Sequence, residues 1–253
     1  MSSKKRVTGK ENILETDSVL QLKNGNKWMN VAHWEHLVYL AGPAGTMKST
    51  ILRYLAAAAS GKVNPLGLRL NLEGRRIAWF DGEQPLDILS KSIAQIGTLT
   101  GVDHNDYLDV FTVNGVQTQK GRRDELWDFL YGQTNPRNIG LVIIDCADNF
   151  IADLNDTRES VKFVNDLKIT AKRLKCLILI LSHTTNRKGE DSKLYGMFGT
   201  KLKNYASAGF DMERIGRHFI MRQTKTRYAP VAPKFFSYGK ENNILEECCI
   251  YPF

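Results

Sequence analysis

A glycine-containing loop that ends in Lys-Ser carries the clearest chemical signal in the sequence. Loops of this kind surround a polyphosphate with backbone N–H groups and with the N-terminus of the helix that follows. The lysine then reaches the terminal phosphates, and the next hydroxyl binds Mg²⁺. The residues expected to hold ATP in this way are Gly42, Pro43, Ala44, Gly45, Thr46, Met47, Lys48, Ser49 and Thr50.

The surroundings of this loop strengthen the prediction. An apolar run at 36–41 precedes it and a helix-forming run at 50–56 follows it, which is the context in which such a loop indicates phosphate binding. We expect Lys48 to act in catalysis and Ser49 to be a Mg²⁺ ligand. Met47 stands where a glycine usually precedes the lysine, so its side chain must point away from the nucleotide. A glycine turn with a chance Lys-Ser is the alternative.

A carboxylate that follows a buried strand is the expected second ligand for Mg²⁺. Asp145 comes directly after the apolar residues 141–144, and ligands of open parallel sheets bind at such strand ends. Asp148 is the alternative ligand, although its position suits a cap on the following turn better.

Hydrolysis also requires a group that accepts a proton from the attacking water. Glu83 lies in an acidic loop after the apolar run 77–80 and is the candidate general base; Asp81 is a weaker candidate. Pro85 is expected to be the first residue of the next helix, in which Leu86 shares the apolar face. A merely structural Glu83, favouring the N-terminus of that helix, is the alternative.

Polar and basic residues follow a third apolar run, 177–181. His183 is expected to sense the γ-phosphate, although a single histidine is often structural. A basic segment comes next and could grip a nucleic-acid backbone, which requires positive charge rather than base recognition. A solvated surface loop is the alternative for these candidate nucleic-acid contacts: Arg187, Lys188, Lys193, Lys201 and Lys203.

Lys225 and Arg227 lie two residues apart after a short apolar run. In an extended segment both side chains point the same way, and the pair could act on the nucleotide of a neighbouring subunit. An arginine supplied in this way raises hydrolysis by about 10³–10⁵. The active site would then be shared within a ring or filament. A basic edge strand protected against aggregation is the alternative.

The elements that must position these residues alternate between short apolar runs and helical patterns, which predicts an α/β fold with a mostly parallel sheet and helices on both faces. Shorter, antiparallel edge strands are expected near the C-terminus. Residues 1–17 are expected to form a flexible basic tail and 18–253 a single domain. Residues 18–35 are expected near the nucleotide base. The strands are predicted at 37–41, 77–80, 107–113, 141–144, 177–181, 219–221, 235–238 and 250–251.

The composition is that of a globular protein with a polyanionic partner. The chain has 253 residues, a net charge of +8 and 25% charged residues, and the positive balance favours nucleic acid. Neither a transmembrane run nor a signal-peptide core occurs, so we expect a cytoplasmic protein that does not bind membranes. The four cysteines show no metal-ligand spacing and are expected to be reduced, mostly in the core.

Together, the loop 42–49, Glu83, Asp145, the segment 182–187 and the segment 225–227 resemble the RecA-like core of hexameric replicative helicases. The likeness is greatest to the DnaB family, the phage primase-helicases and the plasmid RepA helicases, and it covers roughly residues 28–240. His183 stands where DnaB proteins usually have glutamine and is closer to the RepA-like variant. The resemblance implies the site roles given above.

The leading hypothesis is a minimal ATP-dependent DNA helicase of a phage, plasmid or other mobile element. Its partners would be single-stranded DNA, other copies of the chain in a hexameric ring, and a separate loader, primase or replication initiator protein. No room is seen for the N-terminal domain of the larger replicative helicases. The alternatives are a RecA/RadA-like recombination or repair ATPase and a KaiC-like regulatory ATPase.

Overall fold

The computed structural model describes residues 18–132, 138–185, 193–239 and 244–248. The tail predicted at 1–17 and the strand predicted at 250–251 lie outside these residues. Within them, no helix is long and apolar enough to cross a membrane.

Strands and helices alternate over most of the chain, as the sequence predicts. The helices are α1 (Lys48–Ala59), α2 (Leu86–Thr100), α3 (Gln119–Tyr131), α4 (Thr157–Leu174) and α5 (Gly196–Tyr205). The strands are β1 (Ser18–Asn24), β2 (Lys27–His33), β3 (Leu37–Ala41), β4 (Leu68–Leu70), β5 (Arg76–Asp81), β6 (Leu108–Thr112), β7 (Ile139–Asp145), β8 (Leu177–Ser182), β9 (Thr184–Thr185), β10 (Lys193–Leu194), β11 (Ala208–Ile215), β12 (His218–Thr226), β13 (Lys234–Tyr238) and β14 (Leu245–Glu247).

A nine-stranded sheet forms the centre of the described part of the chain. Its strand order is β14-β13-β12-β11-β3-β8-β7-β5-β6. The six strands from β11 to β6 are parallel, whereas β12, β13 and β14 join by antiparallel pairing. The predicted mostly parallel sheet with short antiparallel strands at one edge is therefore confirmed.

The central strands are buried on both faces, which explains their continuous apolar sequences. Alternate residues of β3 serve opposite cores: Val38 and Leu40 pack with α1 and α2, while Leu37 and Tyr39 pack with the helices of the other face. All seven residues of β7 are buried. This sandwich fixes the strand ends, and with them the loops that follow.

Two local expectations differ from the structure. Pro85 lies just before α2 rather than at its first position, since the helix begins at Leu86. Leu86, expected on the apolar face of that helix, is 66% exposed. The first turn of α2 projects beyond the strand ends, where no core is available to cover it.

Candidate active site

The predicted phosphate loop joins the end of β3 to the start of α1, so that Lys48 is the first residue of the helix. Gly42 is required by packing: a Cβ there would lie 2.5 Å from the carbonyl oxygen of Met212. Gly45 has a φ of +74°, which glycine adopts without steric cost. The loop therefore has the tight backbone that presents N–H groups around a phosphate.

Met47 adopts a left-handed conformation, with φ of 72°, at the position where glycine is usual. Its sulfur lies 3.3 Å from the hydroxyl of Tyr238, at the end of β13, and 3.8 Å from the hydroxyl of Thr50. The side chain is thus directed onto β13 and α1. Tyr238 is 42% exposed, and sequence reasoning missed it because 191 residues separate it from Met47.

Lys48 lies inside the loop, where its ammonium donates to the carbonyl oxygens of Gly42, at 2.7 Å, and Pro43, at 2.9 Å. The residue is only 7% exposed, and this burial lowers the pKa of its amine. Two neutral carbonyl groups neutralise no charge, so a negatively charged phosphate would be a stronger partner for the ammonium.

Asp145 ends β7 with a carboxylate that is 1% exposed. Burial, followed by the nearby charge of Asp81, raises its pKa to about 7, while a hydrogen bond from Ser49 acts in the opposite direction. Its Oδ2 is buried and, within the described residues, has no hydrogen-bond partner. A cation beside Ser49 would satisfy this oxygen, so the donors present fit Mg²⁺, which takes oxygen ligands.

Glu83 lies in the loop after β5, and Asp81 holds that loop in shape. Asp81 Oδ1 accepts the backbone N–H groups of Glu83, at 2.9 Å, and Gln84, at 2.7 Å, and its Oδ2 accepts the Gln84 side chain at 2.6 Å. Asp81 is fully buried, whereas the Glu83 side chain is 51% exposed. Glu83 is therefore the acid that water can reach, and Asp81 positions it.

His183 follows β8 and faces Glu83, with 3.7 Å between its Nε2 and Glu83 Oε2. At this distance the contact is an ion pair rather than a hydrogen bond. Contact with Glu83 raises the pKa of His183, and contact with His183 lowers the pKa of Glu83. The candidate base and the candidate sensor therefore titrate as partners.

Asp148 bridges the turn after β7 to the end of β8, and the expectation that it caps its own turn is wrong. Its carboxylate accepts from the Ser182 hydroxyl at 2.9 Å and from the backbone N–H of His183 at 3.0 Å. These two bonds fix His183 relative to β7. The pairing arises from the adjacency of β7 and β8, which the local sequence does not encode.

The candidate nucleic-acid residues are only partly described. Arg187 and Lys188 lie outside the described residues. Lys193 belongs to β10, which pairs with β9 two residues after His183. Lys201, half-buried, and Lys203, exposed, lie on α5. The chain that leaves His183 therefore runs towards a basic helix.

Lys225 and Arg227 are not brought to the chain's own phosphate loop. Lys225 pairs with Gly209, level with the middle of β3. Arg227 is exposed and follows the last residue of β12, where it lines a cavity of about 180 Å³ with His36, before β3. The phosphate loop lies at the other end of β3.

The aromatic rings considered for the nucleotide base pack elsewhere. The Trp28 ring lies under the guanidinium of Arg69 at 3.9 Å, and the Trp34 ring lies under that of Arg75 at 3.5 Å. Tyr228 stacks on His36, before the start of β3. The hairpin of β1 and β2 pairs with β4 and packs with α1. The expectation that residues 18–35 lie near the base is therefore wrong for Trp34, which precedes β3 at the edge opposite the loop.

Comparisons with solved structures agree with this architecture. The ATPase domain of a phage helicase superposes with a TM-score of 0.61 and 14% sequence identity, covering 85% of this chain and 86% of that one. The RadB recombinase superposes with a TM-score of 0.58 and 14% identity, covering 85% and 91%. At this identity the likeness shows the fold, which is that of the RecA-like P-loop ATPases. No curated protein matches the chain in sequence.

A protein family matches the part of the chain that holds the loop, Glu83, Asp145 and His183. The family is described as "AAA domain", and the match covers residues 25–189. Because this is more than half of the chain and includes the nucleotide-binding loop, the protein belongs to the AAA domain family and has a RecA-like ATPase core.

Proposed function

We propose that this protein hydrolyses ATP to move along single-stranded DNA, as a minimal hexameric helicase of a phage, plasmid or other mobile element, in the cytoplasm of the host. The observation that carries the proposal is the convergence of four side chains at one edge of the sheet. Lys48 opens α1, Asp145 ends β7, and Glu83 meets His183 at 3.7 Å. This set contains a phosphate ligand, a metal ligand, a base and a sensor.

Each residue has a distinct task in the proposed reaction. Lys48 leaves the loop carbonyls and binds the terminal phosphates, and Ser49 and Asp145 hold Mg²⁺. The metal ion neutralises charge that develops on the phosphate oxygens. Glu83, half-exposed and held by the Asp81-braced turn, accepts the proton of the attacking water. The lowered pKa of Glu83 keeps it ionised and ready to accept that proton.

His183 links the phosphate to the DNA grip. Its backbone is tied to Asp148 and its ring to Glu83, so loss of the γ-phosphate changes the charges that hold the ring. The segment that follows leads through β9 and β10 to α5, which carries Lys201 and Lys203. Movement of this segment would alter contacts to the DNA backbone, and the net charge of +8 suits that partner.

The positions of Lys225 and Arg227 favour a shared active site. Both lie away from the chain's own phosphate loop, and Arg227 is at the opposite end of β3. In a ring, this edge of one subunit would face the nucleotide of its neighbour, where Arg227 would stabilise transition-state charge. A separate loader, primase or initiator protein would bring such a ring to DNA.

The alternatives are a recombination or repair ATPase and a KaiC-like regulatory ATPase. RadB, a structural neighbour, is a recombinase, although that likeness extends only to the fold. The +8 charge of this chain argues against a switch that binds only proteins.

Steady-state ATP hydrolysis with and without single-stranded DNA tests the proposal, with duplex DNA as the comparison. We expect stimulation by the single strand that fades as salt rises, because phosphate contacts release counterions. A slow rate that DNA does not change would reject the translocase and favour the regulatory ATPase. DNA-stimulated hydrolysis with strand exchange and filaments, without unwinding, would favour the recombinase.

A further inference from the structure

A thiol lies in the candidate active site, and the proposed hydrolysis does not use it. Cys146 follows Asp145 and is fully buried, with its sulfur 3.4 Å from the carbonyl oxygen of Leu181. One ligand atom each from Cys146, Glu83 and His183 lie within 4.8 Å of one another. The fold thus brings together a thiol, a carboxylate and an imidazole that the cysteine spacing of the sequence does not associate.

Three neighbouring strand ends create this arrangement. β7 ends just before Cys146, β8 ends just before His183, and the loop after β5 carries Glu83. β5, β7 and β8 are adjacent parallel strands, so the residues that follow them meet at one edge of the sheet. Asp148 and Asp81 hold the two flanking backbones in place. The ligand set is therefore partly fixed before any ion binds.

The chemistry of these ligands selects a different ion from the one held by Ser49 and Asp145. Zn²⁺ binds thiolate, imidazole and carboxylate in a tetrahedron, at about 2.0–2.3 Å. Mg²⁺ takes oxygen ligands in an octahedron and does not favour sulfur. Closing the cluster to zinc distances requires a contraction of about 1 Å. The side chains of Glu83 and His183, 51% and 31% exposed, have room to make this movement.

We propose that Glu83, Cys146 and His183 form a binding site for Zn²⁺, and that zinc bound there stops ATP hydrolysis. The fourth ligand is water, on the side where Glu83 and His183 meet solvent. On binding, the Cys146 thiol releases its proton to solvent, and the sulfur exchanges its contact with the Leu181 carbonyl for the metal. Glu83 then donates its electron pair to the ion and no longer accepts a proton from water.

The inhibitory half of this inference rests on the proposed role of Glu83 as the base, whereas the binding half does not. Binding is therefore measured without nucleotide. Co²⁺, which replaces Zn²⁺ in tetrahedral sites, is added to the full-length protein and followed by absorption. We expect visible d–d bands and a thiolate-to-metal charge-transfer band, with one ion bound per chain and displacement by Zn²⁺.

Cysteine variants locate the site. Cys146→Ser is expected to abolish the charge-transfer band, whereas Cys176→Ser, at another fully buried thiol, is expected to keep it. Glu83→Gln keeps the thiol at an exposed and structurally tolerant position, and should weaken binding by more than the roughly 10–100-fold caused by loss of an outer-sphere partner. Absence of the band in the wild type, or its survival in Cys146→Ser, would overturn the site.

Hydrolysis assays with Zn²⁺ test the second half. Micromolar-range zinc should inhibit ATP hydrolysis in excess Mg²⁺, and a chelator should restore it. The Cys176→Ser variant should be inhibited as strongly as the wild type. A charge-transfer band without inhibition would reject zinc control and place doubt on Glu83 as the base. Failure of DNA stimulation with the band intact would affect only the proposed function.

Discussion

At the scale of single residues, Lys48 and Glu83 are expected to act at separate steps. Lys48→Ala should weaken ATP binding, because the buried ammonium in the loop is the proposed partner of the terminal phosphates. Glu83→Gln should keep ATP binding but lower hydrolysis by about 10²–10⁴, the usual contribution of a general base. Glu125→Gln, at an exposed glutamate of α3, is the control. Hydrolysis by Glu83→Gln close to the wild-type rate would remove Glu83 from the base role.

His36 is expected to make stability depend on pH. Burial, then the charges of His33 and Arg227, lower its pKa from 6.5 to about 4. Below pH 6.5 the unfolded chain binds a proton that the folded site excludes, so stability falls as pH drops from 6.5 towards 4. Above pH 6.5 both states are neutral and the effect vanishes.

Urea unfolding at pH about 7.5 and about 5 measures this dependence. His36→Asn should reduce the loss of stability on acidification, since its amide oxygen still offers an acceptor for the His33 N–H, which His36 accepts at 3.2 Å. His104→Asn is the matched control. An identical loss in His36→Asn and in the wild type would contradict the assignment.

The residues that the sequence identified well are those at strand ends. Lys48, Asp145 and His183 each follow an apolar run that is too continuous to be anything but a buried strand, and adjacent parallel strands bring such positions together. Tyr238 and the link from Asp148 to His183 were missed because they depend on which strands are neighbours. Cys146 has no partner at metal-ligand spacing in the chain, so only the fold associates it with Glu83.

At the scale of elements, the packing of β3 against β11 limits which side chains the sheet accepts. Gly209 of β11 lies opposite Tyr39, and a Cβ there would come within 1.9 Å of the Tyr39 ring. Tyr39 is 1% exposed and its hydroxyl lies 3.1 Å from that of Thr224, so the ring has no free space to occupy. The glycine is therefore required by β3 rather than by a turn.

Gly209→Ala should lower the free energy of unfolding by about 1–3 kcal/mol, the range for overpacked cores. Gly115→Ala is the matched control, since no heavy atom lies within 4 Å of a Cβ at that position. Denaturant titration of both variants decides the matter. Equal stability of the two variants would mean that Tyr39 is not confined as described.

The order of the central strands could be anticipated only in part from the sequence. Continuous apolar runs predict parallel strands buried on both faces, and the structure confirms this for β3, β7 and β8. The placement of the β1–β2 hairpin could not be predicted, because Trp28 and Trp34 are covered by arginines from other elements. The solvent exposure of Leu86 likewise depends on where the sheet ends.

At the scale of the whole molecule, the proposed active site is complete only between two copies. Lys48 and Arg227 lie at opposite ends of β3, so one copy does not bring them to the same nucleotide. Lys48→Ala and Arg227→Ala should therefore each be inactive alone. In mixed oligomers, a junction that combines the intact Lys48 of one copy with the intact Arg227 of another should hydrolyse ATP.

Mixing the two purified variants and measuring hydrolysis tests this arrangement. Activity above the sum of the separate variants is the expected result, and it should disappear on dilution that dissociates the oligomer. Arg227→Lys is a useful companion, because lysine keeps the charge but not the planar fork of arginine. A mixture that is no more active than its components would argue that each site functions within one chain.

The central claim is that the nucleotide state controls the grip on single-stranded DNA. The most direct measurement is the affinity for a fluorescent single-stranded oligonucleotide, with Mg²⁺ and either a non-hydrolysable ATP analogue or ADP. A motor requires different affinities in the two states, because a ligand that binds both states equally shifts nothing. We predict at least about a tenfold difference, or about 1.4 kcal/mol. Equal affinities with the two nucleotides would contradict the account.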